Sequence, residues 1–229
     1  MGFGQLSFDM AHLLAGGVLL LCFVLLYQRR VAAVIHALAL QGVALALAVA
    51  WQGWVLGMPG LYIAALAALG AKAVAIPIGL RLLVRRLELR RAVDSAIGIG
   101  PGMVAGVALV ALAVLVVLPA TPGSGVLARE GLAIALSVVL LGMLMMIIRR
   151  HPIGHVAGLL SLENGLVLAA AGPRGLPLVV ELATAALVLV LTAVAGFFAL
   201  RLRDDVAGPG PGLLHQPYAE GDPPGKAGR

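Results

Sequence analysis

Two glutamates and one lysine stand inside long apolar runs of this sequence: Glu163 in SLENGLVLAA, Glu181 in LPLVVELATAAL and Lys72 in AALGAKAVAIPIGL. A charged side chain at the centre of a bilayer costs about 3 kcal/mol or more and turns toward protein or water, so each of the three marks a functional-site hypothesis. The chemistry within reach of carboxylates and an amine in apolar surroundings is proton exchange. A carboxylate alternates between charged and neutral forms, and a nearby ammonium favours one of them. His36 and His155 add imidazoles, the side chains that titrate near neutral pH.

The stretch of helix from Arg150 to Glu163 spans roughly 20 Å at the usual rise per residue, which sets Glu163 deep in the apolar layer. On a helical wheel it projects about 140° from Gly158. That turns it away from the small-residue side formed by Gly154, Gly158 and Gly165, where another helix can approach closely, and toward a different neighbour. The simpler alternative is a protonated glutamic acid hydrogen-bonded across helices. Lys72 precedes Arg81 by roughly 13 Å of helix. Pro77 follows it, freeing a carbonyl and bending the helix. Lys72 reads either as a functional amine or as the partner of a structural carboxylate. Glu181 falls one turn after Pro177, where the helix macrodipole favours a carboxylate whether or not it moves protons. His36 and Gln41 are about 140° apart on one helix. They suit interhelical hydrogen bonds, with a relay role for His36 as the sharper reading. His155 is placed to feed protons inward or simply to be solvated. His151 and His155 have metal-compatible spacing, but Pro152 and the lack of further nearby ligands argue against a site.

The elements that position these groups follow from composition. The chain has 229 residues, 62% hydrophobic and 11% charged, with mean hydropathy +1.08, which excludes an ordinary soluble domain. The expected fold is all-α and integral to a membrane. About seven spanning helices are expected, at 11–28, 31–51, 60–84, 102–119, 130–149, 154–172 and 176–202. The first run lacks a basic leader and a small-residue cleavage site and ends in Arg29-Arg30, so it is expected to remain as a helix. The net charge of +6 gathers between apolar segments and not on a basic domain. That excludes a nucleic-acid partner, and the charges set topology instead. Arg29-Arg30, Arg81 through Arg91, Arg149-Arg150, and Arg201 with Arg203 fall on one side of seven helices. That side is expected to be cytoplasmic, with the amino terminus outside, the carboxyl terminus inside, and Trp51 and Trp54 at the outer interface. Arg81 to Gly102 reads as an amphipathic cytoplasmic extension, resting on lipid headgroups or docking a partner. Residues 204–229, rich in Pro and Gly, read as a disordered tail. Cys22 is the single cysteine and supports neither a disulfide nor a cysteine metal site.

Three regions result: a three-helix half with its extension (1–101), a four-helix half (102–203) and the tail (204–229). A weak echo links the halves, an apolar helix, a double arginine and then a polar residue, Gln41 in one and Glu163 in the other. There is no glycine-rich phosphate loop, no zinc-type ligand spacing and no nucleophile beside a base, so no catalytic residue, cofactor or metal is expected.

The stretch RRHPIGHVAGLLSLENGLVLAAAGPRGLPLVVELATAALVLVLTAVAGFFALRLR resembles component E of hydrogenase-4 and formate-hydrogenlyase-type complexes, above all in LENG (Leu162 to Gly165) and LVVEL (Leu178 to Leu182). It is similar to subunit K of respiratory complex I and to the corresponding small membrane component of Mrp-type antiporters, the likeness to subunit K covering 130–203. QRR, Gln41 and LYIAALAALGAKAVAIPIGL extend the likeness to residues 10 to 203. The second buried glutamate of subunit K would fall near Val188 and not at Glu181. The resemblance implies a non-catalytic membrane subunit of a group 4 nickel-iron hydrogenase-like or complex I-like oxidoreductase assembly in the bacterial cytoplasmic (inner) membrane. Its partners would be antiporter-like membrane subunits and a peripheral redox arm. Glu163 would be the proton-accepting relay group, Lys72 its charge partner and Glu181 an exit-side group, moving protons or sodium. An Mrp-type antiporter subunit and a purely structural scaffold are the alternatives.

Overall fold

The computed structural model describes residues 3–86, 96–121 and 126–171. The expected seventh helix at 176–202, with Glu181, the tail at 204–229 and the middle of the expected amphipathic extension, 87–95, lie outside the described residues. The helices are α1 (Phe3–Tyr27), α2 (Val31–Leu56), α3 (Pro59–Ala68), α4 (Ile76–Arg86), α5 (Ile99–Ala120), α6 (Val126–Ile148) and α7 (Pro152–Ala170). A seven-residue π-helical turn, Leu69–Ala75, joins α3 to α4 into one continuous rod. Counting that rod once, six helices among the described residues are long and apolar enough to cross a membrane. Together with the composition, this makes the chain a multi-pass membrane protein.

Helix ends follow local chemistry. α2 runs to Leu56, beyond the expected end at 51, because Trp51 to Trp54 continue the helix until Gly57 adopts a left-handed φ of 64°. Glycine carries no Cβ to oppose that conformation, and the Met58 N–H then bonds the Gly53 carbonyl at 3.0 Å. Pro59 opens α3 and Pro152 opens α7, where the missing N–H of proline is no loss. His151 caps α7, its Nδ1 accepting from the Ile153 N–H at 3.2 Å, and so satisfies a donor that the first turn leaves free.

Four helices form the centre. α1 lies against α2 and α6, and α7 lies against α2 and α6, with the α6–α7 contact the most extensive. The two hairpins, α1–α2 and α6–α7, carry their double-arginine turns at the same end of the bundle, so α1 runs parallel to α6 and α2 to α7. The rod of α3 and α4 packs on the outside of α2, and α5 packs on α6 and α1.

Glycines set the closest approaches. A Cβ on Gly142 would lie 2.6 Å from the Leu162 nitrogen and 2.7 Å from the Gly158 carbonyl oxygen, and one on Gly165 would lie 2.8 Å from the Val139 nitrogen. The α6 and α7 backbones therefore touch, as small-residue seams in membranes allow. Gly158 and Gly165 thus face α6, and Glu163, as its position on the helical wheel requires, faces elsewhere.

Candidate functional site

Glu163 faces the π turn. Its Oε1 lies 3.1 Å from the Nζ of Lys72, and the same ammonium donates to the Asn164 Oδ1 at 2.9 Å. Both Lys72 and Glu163 are 5% exposed, so little water screens the pair. The contact with Glu163 is ionic and not a directed hydrogen bond: neither carboxylate oxygen has a hydrogen-bond partner among the described residues. A buried carboxylate and a buried ammonium this close compensate each other, and removing either would leave the other charge unpaired in an apolar interior.

The element presenting Lys72 is unusual. The Ile76 N–H bonds the Ala71 carbonyl, the i to i−5 spacing of a π helix. Pro77, expected to bend the helix, follows immediately. It has no N–H, so a further step of that pattern would leave the Lys72 carbonyl without its donor. The turn lies directly on α2: a Cβ on Gly42 would stand 2.9 Å from both the Lys72 carbonyl carbon and the Ala73 nitrogen.

One turn away, a second set of polar groups joins α1, α2 and α7. The Ser161 hydroxyl donates to the Gln41 Oε1 at 3.1 Å, and the Gln41 Nε2 donates to the Cys22 Sγ at 3.0 Å. All three side chains are fully buried. Ser161 and Asn164 are one helical turn apart on α7 and share a face, while Gln41 adjoins Gly42 on α2. The two sets therefore form one polar seam between α7 on one side and α2 with the π turn on the other.

Of the residues singled out from sequence, the fold brings Lys72 and Glu163 together and gives Gln41 interhelical hydrogen bonds on two sides. His36 is exposed on α2, away from the seam, because it projects far from Gln41. His155 is exposed near the start of α7, within reach of the His151 carbonyl at 3.2 Å. Glu181 lies outside the described residues. Among the described residues, no group of three or more His, Cys, Asp or Glu side chains could hold a metal. Asn164, Ser161 and Gly42 carry no signal in the sequence, because Asn and Ser in an apolar helix look neutral and a glycine shows its purpose only once its neighbour is placed.

Each end of the bundle has its own tie. Arg149 is buried, and its Nη2 donates to the carbonyls of Leu25 and Leu26 at 2.8 and 2.7 Å, meeting acceptors left over at the end of α1. Burial, and secondarily the positive charge of Arg29, lower the pKa of that guanidinium from its usual value. At the opposite end the His12 Nε2 meets the Glu130 Oε2 at 2.6 Å, linking α1 to α6. There too the Trp51 Nε1 donates to the Ser7 carbonyl at 3.2 Å.

Fold and site together define a multi-pass membrane protein with a lysine–glutamate pair buried inside its helix bundle. The chain is 30% identical over 197 residues to the uncharacterized protein Rv0085 of Mycobacterium tuberculosis, an alignment that covers 82% of this chain and 87% of that relative. It belongs to the same family as that protein. No family model and no solved structure matches the chain.

Proposed function

We propose that this chain is a non-catalytic membrane subunit that helps move a proton, or a sodium ion, within a hydrogenase-like or complex I-like assembly. The observation carrying this reading is the buried contact between the Lys72 Nζ and the Glu163 Oε1 at 3.1 Å. While the ammonium stays beside the carboxylate, the two charges compensate. When it withdraws from Glu163 and Asn164, the carboxylate must take up a proton or remain an uncompensated charge in an apolar interior. Alternation between these states binds and releases one proton without any redox chemistry in this chain. The redox partner and the antiporter-like neighbours rest on the resemblance of LENG and its flanking sequence. The assignment of the arginine-rich end to the bacterial cytoplasm rests on the positive-inside pattern.

The test is Glu163→Gln in the assembled complex. Pumping into sealed vesicles should fall to background while the subunit still co-purifies with its neighbours. Unchanged pumping by an intact complex would make the pair a structural tie and the chain a scaffold.

A further inference from the structure

The π turn is the one departure from α geometry within the described helices, and it holds the buried lysine at its middle. A π turn is an α-helix with one extra residue accommodated. That surplus can pass from one turn to the next while the flanking helix keeps its register, and each residue passed rotates about the axis by roughly 100° and shifts along it by about 1.5 Å. Four observations say that this segment is built to do so.

First, Lys72 is the only residue of Leu69–Ala75 that is buried; its neighbours in the turn are partly or fully exposed. Moving the turn therefore disturbs the packing of one side chain. Second, the flanks are anchored: Ala64, Ala65 and Ala68 on one side and Ile76, Pro77 and Leu80 on the other are buried. Third, the movement is bounded below by Pro77, which lacks the N–H needed to carry the π pattern further. Fourth, Gly42 is the surface against which the turn moves. Any Cβ there would lie 2.9 Å from the backbone at Lys72 and Ala73 and 3.0 Å from the Lys72 Cβ, so another side chain would push the turn away.

We propose that Leu69–Ala75 is a sliding π turn that carries Lys72 toward and away from Glu163 and Asn164, with α3 and α4 stationary. Gly42 is a positioning residue in this device. In the register described here, the ammonium sits between the Glu163 Oε1 and the Asn164 Oδ1. When the π turn passes Lys72, rotation by about 100° takes the amine off α7. The ion pair is the latch that favours the register seen. The device supplies the withdrawal of the cation on which the relay reading depends, and it rests on that reading for its use but not for its existence.

Amide hydrogen exchange on the purified full-length protein in lipid nanodiscs tests the movement without any transport assay. Amides of 69–76 should exchange about tenfold faster than those of 61–67, because their hydrogen bonds must break whenever the turn moves. Glu163→Gln, which removes the latch while keeping side-chain size, should widen that ratio severalfold. Deletion of Ala71, which removes the surplus residue and leaves the faces of α3 and α4 in phase, should bring 69–76 to the rate of their flanks. Equal protection of the two segments in the unmodified protein, or no response to Glu163→Gln, overturns the proposal. Should the deletion prevent accumulation of the protein, the Glu163→Gln comparison decides alone. A mobile turn in a protein whose pumping survives Glu163→Gln would reject the relay and leave the sliding turn standing.

Discussion

The two faces of α7 are built on opposite principles. Toward α6 it presents Gly158 and Gly165, and the backbones meet so closely that a Cβ on the facing Gly142 would stand 2.6 Å from an α7 nitrogen. Toward α2 and the π turn it presents Ser161, Glu163 and Asn164, each reaching another element through a side chain. The first face fixes a distance by having nothing that can bend. The second fixes partners by charge and hydrogen bonding. α7 is thus held at a fixed distance from one neighbour and tied by named side chains to another.

The largest effect should come from breaking the polar face in an unbalanced way. Lys72→Met leaves the Glu163 carboxylate buried with no counter-charge and should destabilise by about 4 kcal/mol, whereas Lys72→Met combined with Glu163→Gln should recover most of the loss. Unfolding titrations in mixed micelles would measure both; equal destabilisation by the single and double variants would show that charge is not what the face depends on. On the glycine face, Gly142→Ala should destabilise by about 2 kcal/mol through overpacking, its new methyl meeting Leu162 and Gly158. The same change at Gly131, where a Cβ meets nothing within 4 Å, should be nearly silent, and thermal melts of the two would sharpen the distinction. Smallest is Ser161→Ala, which removes the donor to Gln41. In the same micelle titration it should cost about 1 kcal/mol, the net worth of one interhelical hydrogen bond.

Much of the bundle is legible in the sequence because apolar runs long enough to span a bilayer announce themselves, and the double arginines mark the turns. Lys72 and Glu163 are each visible for the same reason, as charges where charges are expensive. Their contact is legible only as an expectation from resemblance, since spacing along one helix says nothing about which helix comes to face it. The π turn is not legible at all: Pro77 signals an interruption, but whether the ladder kinks or takes in an extra residue depends on what lies alongside. Here that neighbour is Gly42. Arg149 reads in the sequence as one more arginine of a turn, and only its two bonds to the end of α1 show that it belongs to the interior.

That last contact bears on how the protein is made. The carbonyls of Leu25 and Leu26 find their donor 124 and 123 residues further along the chain. When the first hairpin leaves the ribosome and enters the bilayer, that donor has not yet been synthesised. The end of α1 must then be met by water or lipid headgroups until the second hairpin arrives. Arg149 is thus a late-arriving clasp between the two hairpins.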